Sequence, residues 1–133
     1  MSTIPIYVAI LPGEGAFNHW GLFIDGTTDQ DKALLQVKGS DGQFKYEPET
    51  RDARQSEGLI ELFYLCHVGV IKVEEIKAAA DQATIYNDIP GWNCQDYVID
   101  LLEELQEKAI MGNQNQDFEK QMVLLRGKQE GLA

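Results

Sequence analysis

Only two cysteines and two histidines occur in the 133 residues, and this scarcity narrows the chemistry. Cys66 and Cys94 could form one disulfide at most, and in a chain of this size expected in the cytoplasm two free thiols are the simpler reading. Zinc takes about four ligands, and these cysteines with His19 and His67 lack the paired close spacing of such sites, so no metal or cofactor is expected. Basic residues are also few: 11 Lys and Arg face 22 Asp and Glu, a net charge of −11. Binding to a nucleic-acid backbone relies on clustered cations, so nucleic acid and anionic membrane surfaces are poor partners. No apolar run approaches the ~20 residues of a membrane span. The opening residues, Met1-Ser2-Thr3-Ile4-Pro5-Ile6, carry no basic residue ahead of the apolar stretch and no evident cleavage site, so no secretory signal is read. Internal repeats and low-complexity tracts are missing as well.

What is present suits one folded domain, residues 1–133, with 44% hydrophobic and 9% aromatic residues. The segment Ile6 to Leu11 is apolar on both faces, as a central strand is, and the turn Pro12-Gly13-Glu14-Gly15 ends it. His19 to Ile24 reads as a second strand, stopped at Asp25-Gly26, with the histidine as its first residue. A third strand, about Ala33 to Lys38, sets Leu34, Gln36 and Lys38 on one face, and a short fourth around Phe44 to Glu47 completes a meander. Residues Pro48 to Gly58 show no apolar periodicity and predict an exposed loop. Leu59 to Ile71 is β-prone, with Ile60, Leu62, Tyr64, Cys66, Val68 and Val70 on one face. Helices are expected over Glu74 to Gln82 and about Asp117 to Lys128, the latter with Phe118, Met122 and Leu125 at helical spacing. Strands first and helices late imply an α+β fold: an antiparallel sheet of about five strands packed against two or three helices.

The most informative stretch is Gly91-Trp92-Asn93-Cys94-Gln95-Asp96-Tyr97-Val98. Asn93 is a good N-cap, and Tyr97, Val98, Leu101, Leu102 and Leu105 follow Cys94 on one helical face, with Asp100, Glu103, Glu104 and Glu107 on the other. A thiol in the first turn meets unpaired backbone N–H groups and the positive end of the helix dipole, both of which favour a nucleophilic thiolate. The alternative is a small buried side chain filling the core. A strand histidine facing such a cysteine could act as its base, with a third polar group holding the imidazole tautomer.

The pair His19-Trp20-Gly21-Leu22-Phe23-Ile24 and Asn93-Cys94-Gln95-Asp96-Tyr97-Val98 resembles the circularly permuted papain-like proteins of the NlpC/P60 superfamily, in which the histidine strand precedes the cysteine helix. Lecithin:retinol acyltransferase-like and PPPDE-like proteins share that order. More specifically, the chain resembles a group of small intracellular fungal proteins with a histidine–tryptophan strand, a polar residue ahead of a Val-x-Gly step, here Leu35-Gln36-Val37-Lys38-Gly39, and a Trp-Asn-Cys-Gln helix start. The resemblance implies Cys94 as nucleophile, His19 as base and Gln36 where many permuted members have a second histidine. A glutamine carbonyl can accept the imidazole N–H but brings no charge to an imidazolium; Asp31 is the alternative third group. Asn18, Trp20, Trp92 and Asn93 are the candidate substrate-binding residues. Trp20 faces away from the histidine and also reads as core, and Trp92 could line the cleft or staple the helix. Asn18 or Asn93 could donate to an oxyanion, as could the Cys94 backbone N–H. Cys66 and His67, inside an apolar run, read as core.

The resulting expectation is a cysteine-dependent hydrolase or acyl-transfer enzyme. It would act on an amide, ester or thioester of a small molecule or peptide through an acyl-cysteine intermediate. The alternatives are an inactive binding module of the same fold and a metabolite-tailoring enzyme using the same cleft.

Overall fold

The structure, a computed structural model, describes residues 2–13, 15, 17–112 and 116–130. Strands β1 (Thr3–Leu11), β2 (His19–Asp25), β3 (Lys32–Leu35) and β6 (Glu61–Gly69) form an antiparallel sheet in the order β3-β2-β1-β6. The short β4 (Val37–Lys38) and β5 (Lys45–Tyr46) pair separately. Helices α1 (Val73–Gln82), α2 (Cys94–Glu107) and α3 (Gln116–Gly127) complete the chain. The fold is therefore α+β, with a four-stranded and a two-stranded sheet in place of a single sheet of about five strands.

One face of the sheet carries Ile6, Val8, Ile10, Trp20, Leu22, Ile24 and Leu35, all buried against the apolar stripe of α2, Tyr97, Val98, Leu101, Leu102 and Leu105. Phe118, Met122 and Leu125 of α3 join the same core. Each fully buried Leu, Ile or Phe contributes about 1.5–3 kcal/mol by leaving water, so this layer is what holds α2 on the sheet. On the opposite face Ala9, Leu11, Phe23, Leu34 and Ala53 form a smaller core. Residues 48–58 are mostly exposed and irregular, as expected of a loop, but are tied to this face at several points. Glu49 makes a reciprocal pair of backbone hydrogen bonds with Leu34, Ala53 is fully buried, and the Arg54 guanidinium lies over the Tyr7 and Phe23 rings at 5.8 and 5.7 Å.

Strand β6 departs from simple alternation. Its register against β1 slips between Ile6 and Tyr7, so that Tyr64 pairs with Tyr7 and Cys66 with Ile6, leaving Leu65 as the extra residue. Before this bulge Phe63 faces the main core; after it Cys66 and Val68 do. Leu62 and Tyr64 are thus on the smaller-core side, not with Cys66 and Val68, and His67 is exposed with its Nδ1 2.6 Å from the Tyr64 hydroxyl, not a core residue. The strand ends at Gly69, and Val70–Lys72 forms a 3-10 turn that leaves Ile71 exposed. Both cysteines are free. Among the described residues no helix is long and apolar enough to cross a membrane.

Candidate functional site

Helix α2 begins at Cys94 because Asn93 and Asp96 close a reciprocal capping box. The Asn93 Oδ1 accepts from the Gln95 backbone N–H at 2.9 Å, and the Asp96 carboxylate accepts from the Asn93 N–H at 2.9 Å. A cap of this kind stabilises a helix by about 1 kcal/mol and here also fixes where the thiol sits. With Oδ1 engaged and Nδ2 donating to the Gly91 carbonyl, the Asn93 side chain is committed to the cap.

The thiol packs against the start of β2. Its Sγ lies 3.9 Å from the Asn18 carbonyl oxygen, and the Trp20 backbone N–H points at the sulfur. These are the peptide groups on either side of His19. Buried to 8% exposure, the thiol is pushed above its ordinary pKa by burial; the N–H groups of Trp20, Cys94 and Gln95 act the other way without overcoming it, and Asp96 adds to the rise. The helix-start N–H groups thus favour the thiolate, as their position implies, but burial outweighs them.

His19 leaves β2 on the face opposite Trp20. Its Nε2 is 2.7 Å from Oε1 of Gln36, which is fully buried and interrupts the strand that was expected to run unbroken from Ala33 to Lys38. Gly21 makes this diagonal contact possible: a Cβ there would lie 2.7 Å from the Leu34 side chain and 3.5 Å from the Gln36 Cβ. The Gln36 amide nitrogen donates to the Glu49 carboxylate at 2.8 Å and to the Glu47 carbonyl at 3.2 Å. Turning the amide over would set its oxygen against two acceptors, so Oε1 must face His19. The imidazole accordingly carries its proton on Nε2, and Nδ1 bears the lone pair.

The surroundings favour the neutral ring. Burial pushes the His19 pKa below its ordinary value; Gln36 and Glu49 act to raise it, while Lys38 and Arg51 add to the lowering. Burial works to raise the Glu49 carboxyl, but the Gln36 amide and the Lys38 and Arg51 cations outweigh it and hold Glu49 below the usual carboxylate range. His19, Gln36 and Glu49 thus form a continuous chain ending in a negative charge. Glu49 lies in the stretch without periodicity, and its signal is visible only once its backbone pairs with Leu34.

The remaining candidates divide. Asn18 is at the centre: its carbonyl meets both the Cys94 thiol and the Gln95 side-chain amide, the latter at 2.9 Å. The Trp20 side chain is buried in the main core at 1% exposure, so it lines no cleft and only its backbone reaches the thiol. Trp92 packs edge-on against Phe44, Tyr86 and Tyr97 and donates to Asp100 at 3.1 Å. It lines a cavity of about 460 Å³ with Tyr86, Ile89 and Asp100. Asp31 sits in the turn before β3, bonded to Thr28, at the end of the β2–β3 pair remote from His19, so it is not the orienting group. Thiol and imidazole are not hydrogen-bonded to each other; they share the backbone of residues 18–20. Among the described residues no cluster of three or more His, Cys, Asp or Glu side chains could hold a metal ion.

No curated protein and no solved structure matches this chain. The model of a family of unknown function, DUF6540, matches residues 6–112, a span that includes His19, Gln36, Glu49 and Cys94 but neither α3 nor the residues after it; the chain belongs to that family.

Proposed function

We propose that this chain is a circularly permuted papain-like domain acting as a cysteine-dependent hydrolase or acyl-transfer enzyme, with Cys94 as nucleophile, His19 as general base and Gln36 as the orienting residue. The observation that supports it most is the tautomer. An amide carbonyl that holds Nε2–H, and is itself held by a carboxylate, leaves Nδ1 as a neutral base beside the backbone against which the thiol packs. An amide in this place is the Cys-His-Asn arrangement of papain-like proteases in role.

In this mechanism substrate binding turns Sγ away from the Asn18 carbonyl toward Nδ1. The thiol proton passes to Nδ1 as the sulfur forms a bond to the carbonyl carbon, and the oxyanion is met by the Cys94 N–H. Collapse breaks the bond to the amine, alcohol or thiol leaving group, which takes the proton from the imidazolium. Water, or an acceptor nucleophile, then gives a proton to Nδ1 of His19 and attacks the acyl carbon; collapse breaks the bond to sulfur, and the Cys94 thiolate takes the proton back from the imidazolium. Starting from neutral thiol and neutral imidazole costs little charge burial at rest, and the ion pair forms only in the closed complex.

Incubation with p-nitrophenyl acetate followed by intact-mass and peptide analysis is expected to show a single acetyl group on Cys94, and none on the Cys94→Ala protein. Failure of the wild-type chain to acylate would overturn the proposal. Products formed in heavy-oxygen water separate hydrolysis, which incorporates the label, from transfer or a non-hydrolytic tailoring step. The second reading, an inactive binding module of the same fold, is favoured by one observation: the thiol is raised in pKa and bonded to a carbonyl, not to the imidazole.

A further inference from the structure

After α3, residues 128–130 return to the site. Glu130 is set against the start of α2 and the start of β2: one carboxylate oxygen accepts from the Asn18 backbone N–H at 3.1 Å and from the Gln95 side-chain amide at 3.3 Å. Its own backbone N–H donates to Gln95 Oε1 at 2.6 Å, and the adjacent Gln129 side chain donates to Asp96 at 2.6 Å. Gln95 is fully buried and its amide nitrogen is also bonded to the Asn18 carbonyl, so this donor is held in place by more than the carboxylate. That same Asn18 carbonyl is the group the Cys94 thiol contacts.

We infer that the notch between Asn18 and Gln95 is a carboxylate-binding subsite, filled in this chain by its own Glu130, and that the substrate attacked by Cys94 carries a carboxylate there. The inference rests on the acyl-cysteine reading for the second half of that statement only. Among the described residues the notch offers two uncharged N–H donors and no ion-paired cation, so it recognises a carboxylate by geometry, in a protein whose net charge of −11 repels anions that do not fit. Hydrogen bonds to an ionised acceptor are roughly twice as strong as neutral ones, which is what lets two amides suffice. Glu130 is exposed, so a substrate carboxylate can reach the notch and displace its side chain.

The test is the alkylation rate of Cys94 by iodoacetamide in the full chain, resolved from Cys66 by peptide mass. Glu130→Ala is expected to label about tenfold faster than wild type, the factor one charge-assisted hydrogen bond is worth. Propionate, the detached Glu side chain, is expected to restore slow labelling of that variant, and propionamide is not. Glu130→Gln, which keeps the shape and an acceptor oxygen but loses the charge, is expected to label faster than wild type and more slowly than Glu130→Ala. Equal rates for wild type and Glu130→Ala overturn the inference, as do protection by propionamide equal to that by propionate and acceleration that neither compound reverses. If p-nitrophenyl acetate fails to acylate any variant while propionate still protects Glu130→Ala, the acyl-cysteine reading fails and the carboxylate subsite stands.

Discussion

Replacing His19 by alanine is expected to slow acylation of Cys94 by about 10²–10⁴-fold, the range that a positioned general base supplies. Burial pushes the thiol's pKa up, so in the proposed mechanism acylation depends on Nδ1 to take its proton. Single-turnover acylation followed by mass is the direct measurement, and an unchanged rate would show that the imidazole plays no part. The pH dependence has a definite sign. In the proposed mechanism His19 acts as base only when neutral, and burial lowers its pKa from the ordinary imidazole value, so the acid limb of the rate is expected below the pH at which a free imidazole titrates, with activity increasing upward through it. Glu49 raises the His19 pKa whereas Lys38 and Arg51 lower it; Glu49→Gln therefore moves the acid limb to still lower pH. A residue that merely shapes the loop would leave that limb in place, and titration of the His19 ring by NMR checks it in a chain with only two imidazoles.

Trp20→Ala is expected to cost about 3–5 kcal/mol of folding stability, as truncation of a buried aromatic does. The indole is 1% exposed, pairs across the sheet with Ile10 and lies in the layer between β2 and α2. Against a total of about 5–15 kcal/mol for a typical domain, this is enough to unfold part of the population. Urea denaturation measures it, and a loss below about 1 kcal/mol would mean that the layer repacks around the void. The same variant reports on the site, since a shift of β2 displaces the peptide groups that surround the sulfur.

The helix that carries Cys94 was legible because every local signal agreed: a cap at Asn93, an apolar stripe from Tyr97 to Leu105 and an acidic opposite face. The partnership of His19 with Gln36 was legible through resemblance, and Gly21 explains it in physical terms, since one missing Cβ gives the glutamine room to cross to the ring. Glu49 was not legible. Its role depends on a backbone pairing between residues 49 and 34, in a segment whose side chains show no periodicity. The net effect on the thiol was not legible for a related reason: position at a helix start is a local property, whereas burial is decided by everything packed on it. Strand β6 was found as a strand, but alternation assumes an unbroken pleat, and a bulge moves Cys66 and Tyr64 to opposite faces.

That bulge also bears on how the protein behaves in a crowd of its own copies. Strand β6 is the outermost of the sheet, nine residues long and rich in β-formers, the kind of border along which neighbouring chains can join strand to strand. The extra residue Leu65 breaks the even spacing of its outward amides and carbonyls, and Gln121 of α3 takes up the Tyr64 carbonyl beside it. A straight partner strand cannot stay in register past that point, so a defect in regularity serves as a guard against fibrous self-association.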